Sequence, residues 1–285
     1  MGSGAAVTVP RIAPRTVRRR VFGRDPATYD RVRPRYPDRV FAILEERCGL
    51  GPGTSVFEIG PGTGIATREL LRRGAGPMTL IEPDARMVRY LGASLGRARR
   101  RATIVVVPFE KAPLPEATFD LGVAATSFHW LPERAALRKV VRALRPGGWW
   151  AAWSNSTGAP PLATPFQRAI QPLYRRLSPR GRPPTRTAAL VERRARLRAL
   201  RSVDRFEEIA FEEIAWSRSL GTADLRTLWG TFSEIATLPV RSRNRFLDDL
   251  ARIADEQFGG RVELPMRTRM YTARRVGARK RGRDD

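Results

Sequence analysis

The densest chemical signal in the chain is Val56-Phe57-Glu58-Ile59-Gly60-Pro61-Gly62-Thr63-Gly64. An apolar run ends in an acid and then in three glycines two apart, just ahead of a helical pattern. Glycines there let the backbone turn tightly and approach a ligand closely. The helix start behind them offers unpaired N–H groups and a partial positive charge to an anionic group. The dinucleotide fingerprint G-x-G-x-x-G fails in both registers, because its sixth position falls on Ile65 or Thr67. The phosphate-loop pattern fails too, for want of a lysine. What stands is acid-x-G-x-G-x-G, and an acid at Glu58 suits a ligand that carries an ammonium beside its carboxylate. Glu82 ends the next apolar run, where a carboxylate can accept hydrogen bonds from both hydroxyls of a ribose.

A second group of candidates follows a later apolar run, in Ala124-Ala125-Thr126-Ser127-Phe128-His129-Trp130. His129 is the only histidine, and imidazole is the side chain whose ordinary pKa suits a base near neutrality. It can take a proton from a phenol, hydroxyl or ammonium; alternatively it caps the following helix or binds backbone. Tyr29, Tyr36, Phe128 and Trp130 offer apolar walls for a substrate pocket, although Trp130 suits an ordinary core equally well. Arg33, Arg35 or the arginines between 175 and 205 can clamp a carboxylate. One histidine and one cysteine, Cys48, exclude a two-imidazole metal site, a thiolate cluster and a disulfide scaffold. No metal is expected.

These residues need elements to hold them. Apolar or β-branched runs at 54–59, 78–82, 103–107, 119–125 and 149–154 read as strands. Helical spacing with glycine stops marks 37–50, 63–73, 83–95 and 133–144 as helices. Strand and helix alternating at this rhythm imply βαβ units, hence a parallel sheet with helices on both faces. From 155 to 204 prolines punctuate helical pieces, and 175–205 holds eleven arginines against Glu192 and Asp204. That stretch reads as a helical insertion forming part of a substrate lid. A strand at 206–220, helices at 223–235 and 241–258, and a strand at 261–271 complete one elaborated α/β domain over 21–275. Residues 1–20 read as a flexible basic arm and 276–285 as a basic tail.

Lys and Arg number 53 against 28 Asp and Glu, a formal charge of +25, and only Lys111, Lys139 and Lys280 are lysines. Coding bias toward arginine gives this look without any function, although bias alone does not explain why acids fail to keep pace. The functional reading is an anionic partner such as nucleic acid, an acidic small molecule or a membrane surface, and the charge alone does not decide between them. With 42% hydrophobic residues the chain is globular. No apolar run reaches the ~18 residues of a membrane span. A cytoplasmic location is expected, with no membrane partner.

In its motifs the chain resembles the class I S-adenosylmethionine-dependent methyltransferases, over most of 22–275. FEIGPGTGIATREL resembles the family's first motif and LIEPDARMVRYL its second. FEKAPLPEATFDLGVAATSFHWL is similar to the segment spanning the third and fourth strands, and ALRPGGWWAAWSN to the helix-turn-strand beyond. FGRDPATYDRVRPRYP resembles the entry segment of the small-molecule branch, which covers the cofactor. The resemblance implies a Rossmann-like, doubly wound, mostly parallel seven-stranded sheet and S-adenosylmethionine as cofactor. It implies that Gly60, Gly62 and Gly64 cradle the methionyl part, Glu58 holds its amino end and Glu82 the ribose. The adenine-reading acid of the third motif falls near Pro108, which leaves the backbone at Phe109 and Glu110 to bind adenine.

The charge keeps a nucleic-acid acceptor open. Amino-methylating nucleic-acid enzymes carry [D/N/S]-P-P-aromatic after the fourth strand, where this chain has Ala-Thr-Ser-Phe-His-Trp. Cytosine-C5 enzymes need a nucleophilic cysteine there, and Cys48 lies upstream. A small-molecule substrate is the expectation, with RNA or another polyanion, or a non-catalytic cofactor-binding relative, as alternatives.

Overall fold

The computed structural model describes residues 21–157, 164–177 and 186–277. The expected arm at 1–20, the tail from 278, and 158–163 and 178–185 of the expected insertion lie outside the described residues. The first half of the chain runs α1 (Pro26–Val32), α2 (Asp38–Cys48), β1 (Val56–Ile59), α3 (Ile65–Arg72), β2 (Met78–Ile81), α4 (Ala85–Ser94), β3 (Ala102–Val105) and β4 (Phe119–Ala125). It continues with α5 (Glu133–Ala143), β5 (Leu144–Thr157), α6 (Pro165–Leu177), α7 (Arg186–Arg201) and β6 (Phe206–Gly221). Last come α8 (Thr222–Gly230), α9 (Ser233–Ala236), α10 (Val240–Phe258) and β7 (Arg261–Arg275).

The strands form one seven-stranded sheet in the order β3-β2-β1-β4-β5-β7-β6. β1 pairs in parallel with β2 and β4, and β2–β3 and β4–β5 are parallel as well. The chain runs outward from β1 to β3 and then returns to β4 on the other side of β1. That reversal opens a crevice at the carboxyl ends of β1 and β4, the place where open α/β sheets bind ligands.

Period-two alternation sends Val56, Met78, Leu80, Leu121 and Val123 to one face of the sheet. Phe57, Ile59, Ile81, Ala124 and Trp150 go to the other. Phe41 and Leu44 of α2, Leu70 of α3 and Leu91 of α4 cover the first face. Leu137 and Val140 of α5 and Leu200 of α7 cover the second. Both faces are therefore covered, as the alternating pattern requires.

The chain divides into two units. The larger holds, of the described residues, 34–156, 190–216 and 266–277, and with them β1 to β4. The smaller holds, of the described residues, 21–33, 157, 164–177, 186–189 and 217–265. Its interior is aromatic: Phe166 meets Trp229 and Phe258 edge-on, and the Trp229 indole N–H donates to the Tyr174 hydroxyl at 2.9 Å. The stretch 155–204, expected to be one insertion, is shared between the units, with α6 in the smaller and α7 from residue 190 in the larger.

Several boundaries differ from expectation: the strand expected at 149–154 spans Leu144–Thr157 and the last strand runs on to Arg275, and two further differences have local reasons. β3 stops at Val105, whose carbonyl takes the Glu82 N–H at 3.1 Å; Val106 continues the β-branched run but is 48% exposed. The helix expected at 223–235 is two, because Phe232 is extended (ψ 132°) and its N–H turns back to the Trp229 carbonyl.

Candidate functional site

The glycine turn leaves β1 at the switch point. Gly60 N–H donates to the Ile81 carbonyl at 2.9 Å, and the Ser127 hydroxyl donates to the Ile59 carbonyl. A Cβ on Gly60 would lie 2.8 Å from that of Ser127, so the close approach of the segments following β1 and β4 requires a glycine. Gly62 is different. Its backbone is left-handed (φ +59°), yet nothing lies within 4 Å of where a Cβ would stand. The space ahead of Gly62 is open, and Gly64 then caps α3, whose first turn carries no acid.

Two acids sit beneath the turn. Glu58 is wholly buried; its Oε2 accepts the Thr67 hydroxyl at 2.7 Å, whereas Oε1 has no hydrogen-bond partner. Burial pushes its carboxyl up to about 7, and the charge of Glu82 adds to this, against the pull of the Thr67 hydrogen bond and of Arg68. The buried Thr63 hydroxyl also lacks a partner. Buried polar atoms are ordinarily satisfied, so two orphans at one turn single it out as a candidate ligand site. Glu82, buried at the end of β2, accepts Gly62 N–H through Oε2 at 3.1 Å and Asp84 N–H through Oε1 at 3.0 Å.

The segment after β3 makes a short turn over Phe109–Lys111, with Phe109 buried and Glu110 exposed. Its carbonyls converge on one cation: Lys139 Nζ donates to Phe109 O at 2.7 Å, Glu110 O at 3.0 Å and Ala112 O at 2.6 Å, and stands 5.1 Å from the Phe109 ring centre. Sequence reasoning missed Lys139. A lysine between helical apolar positions reads as a solvated face, and its one distinction was rarity among fifty arginines.

After β4, Thr126 takes a left-handed backbone (φ 57°), unusual for a β-branched residue and typical of sites where structure overrides preference. Its N–H donates to Trp153 O at 2.7 Å, and its hydroxyl meets the Tyr36 hydroxyl at 2.9 Å, while the Tyr36 ring stands edge-on to Trp153. Tyr36 is thereby held at the carboxyl end of the sheet. Phe128, expected to line a pocket, instead turns into the core against Trp150, centroids 4.9 Å apart, because the Phe128–Trp130 turn needs an apolar anchor. His129 is exposed beside half-buried Trp130, with ring centres 5.0 Å apart.

Tyr29 and Arg33 belong to the smaller unit. Arg33, expected to serve as a substrate clamp, is enclosed by the rings of Tyr29, Phe232 and Phe22 at 4.8, 5.0 and 5.8 Å and donates to Thr231 O at 2.7 Å. Three ring faces and a carbonyl make it an internal tie, which is why it is not an open clamp. Among the described residues no group of three or more His, Cys, Asp or Glu could hold a metal, and no helix is long and apolar enough to cross a membrane.

Residues 57–152, from β1 through the glycine turn to β5, match the model of a family described as a methyltransferase domain. An uncharacterised methyltransferase of Schizosaccharomyces pombe is 23% identical over 90% of this chain and 98% of its own length. An uncharacterised methyltransferase of Mycobacterium tuberculosis is 30% identical over 45% of this chain, which spans 49% of that relative. A solved structure of a proposed type II methyltransferase from Anaeromyxobacter dehalogenans matches with a TM-score of 0.60 at 23% identity, covering 86% of this chain and 99% of that one. Fold and domain model together define a methyltransferase of Rossmann-like architecture. The chain's similarities are thus to methyltransferases, with the family model matching residues 57–152 and the fold around them Rossmann-like.

Proposed function

We propose that this enzyme binds S-adenosylmethionine at the crevice beyond β1 and β4 and methylates a small molecule at a hydroxyl, carboxylate or amine. The observation that carries the reading is the orphaned Glu58 Oε1 buried beside an open glycine turn. The residues fit the cofactor group by group. Glu58 Oε1 suits its ammonium, the turn at Gly60, Gly62 and Gly64 its methionyl part, and Glu82 its ribose. The turn at Phe109 and Glu110 suits adenine, with exposed Val106 nearby in sequence as an apolar surface for the ring.

When bound, the cofactor supplies an activated methyl for in-line displacement. The chain's part is to position and to exclude water. Glu82 fixes the glycine turn through Gly62, Lys139 fixes the adenine turn, and Phe128 anchors the segment that carries His129. Where the acceptor must lose a proton, His129 takes it; a carboxylate acceptor needs no base. The small-molecule reading is supported by the segment after β4, which reads Thr-Ser-Phe-His-Trp in place of a proline-aromatic base-reading motif. The test is turnover of S-adenosylmethionine against panels of small hydroxylated, carboxylated and amine acceptors, with RNA in parallel. Methylation within the small panels supports the reading, and methylation of RNA alone overturns the choice of acceptor.

A further inference from the structure

The cofactor reading leaves unused a basic cleft at the opposite end of the strands. Its lining includes Glu116 and Ala117 just before β4, and Arg142 just before β5, whereas the glycine turn follows β1; β1, β4 and β5 are parallel. Arg134, Arg138 and Arg142 stand four residues apart on α5, all exposed, while Ala136, Leu137, Val140 and Val141 hold the helix to the core. With Arg205 and Arg275 they line a cleft of about 690 Å³, whose only acids among the described residues are Glu116 and Asp204.

Five guanidinium groups thus face two carboxylates. Like charges four apart on a helix repel one another. The Arg142–Glu116 pair, at 3.9 Å between two well-exposed side chains, offsets little of that. Arg275 is tied to the carbonyls of Arg142 and Leu144, yet its Nε is buried without a partner. Its pKa is pushed down by burial first and by the charge of Arg205 second. Other arginines of the chain are differently placed: Arg73 is met by Asp38, Glu45 and Glu69, and Arg267 and Arg269 share Glu213. Planar guanidinium forks match phosphate oxygens, and the volume lies within the roughly 300–1,000 Å³ of small-ligand sites.

We propose that the cleft between α5, the Ser202–Arg205 turn and the end of β7 binds a phosphate-bearing anion, at a site separate from that of the methyl donor. The phosphates belong either to a small polyphosphate or to a nucleic-acid strand, and the experiment separates the two. The full chain is titrated with tripolyphosphate and, separately, with a short single-stranded RNA. The same titrations are made on Arg134→Gln/Arg138→Gln and on Arg241→Gln/Arg245→Gln, a control pair likewise exposed and four apart on α10. All substitutions lie on exposed helix faces, and melting temperatures verify that each variant is folded. The expected result is a loss of affinity of about tenfold for at least one ligand in the first variant, with the control close to the parent. Loss for tripolyphosphate identifies a small anion, and loss for RNA alone identifies a strand. Equal weakening by both variants, or no weakening by the cleft variant, overturns the proposal.

Discussion

Gly62 N–H donates to the Glu82 carboxylate at 3.1 Å across twenty residues of chain. The acid that ends β2 therefore shapes the turn that follows β1, so the ribose contact proposed for Glu82 and the geometry of the turn would depend on one side chain. A hydrogen bond to a charged group contributes about 1.5–3 kcal/mol. Glu82→Ala is expected to weaken S-adenosylhomocysteine binding by roughly ten- to a hundredfold, and Glu82→Gln by less, because an amide oxygen can still accept from Gly62. Calorimetry on both variants measures this, and unchanged affinity in the alanine variant removes Glu82 from the site.

Glu58 makes stability depend on pH. Its folded pKa of about 7 lies above the ordinary 4.5, so between those values the native state holds the proton more tightly than the unfolded chain. Stability contributed by this group is then full below the unfolded value, falls as pH rises through the window, and is flat beyond about 7. Glu58→Gln is expected to flatten that fall and to exceed the parent in stability near pH 8 by on the order of 1–3 kcal/mol. Melting curves across the window decide the matter; parallel profiles for parent and variant contradict the assignment.

Lys139 is expected to act on cofactor affinity without touching the cofactor. Lys139→Met leaves three carbonyls of the 109–112 turn without their shared donor, at a cost of about 1–3 kcal/mol. The affinity for 5′-methylthioadenosine, which keeps the adenine and loses the amino-acid end, should fall about tenfold, with partial recovery in Lys139→Arg. Equal affinities in parent and methionine variant mean that the turn is not the adenine contact.

Gly122 lies opposite Phe57 in the β1–β4 register, and a Cβ there would stand 2.3 Å from the tip of the Phe57 ring. Gly122→Ala is expected to destabilise the fold by about 1–3 kcal/mol through overpacking. The melting temperature should drop by several degrees, roughly 2–4 °C per kcal/mol for a domain of this size. Phe57→Leu in the same background should restore part of the loss.

The residues legible from sequence are those whose signal is local. Glu58, Gly60, Gly62 and Gly64 fall within seven consecutive positions, and the change from apolar run to acid to glycines needs no distant partner to be read. The alternation that gave the parallel sheet is equally local. What stayed hidden depends on neighbours far along the chain. Arg33 is enclosed partly by Phe232, and Phe128 is drawn inward by Trp150. Lys139 finds carbonyls up to thirty residues upstream. Thr126 adopts a backbone its own side chain disfavours, because Tyr36 and Trp153 hold it there. None of these pairings leaves a periodic trace.

The most direct measurement is a calorimetric titration of the full chain with S-adenosylmethionine, S-adenosylhomocysteine and NADH, repeated with Glu58→Gln. The account predicts saturable binding of both sulfur ligands, none of NADH, and a marked loss for both in the variant. Binding of NADH, or silence toward both sulfur ligands, would contradict it.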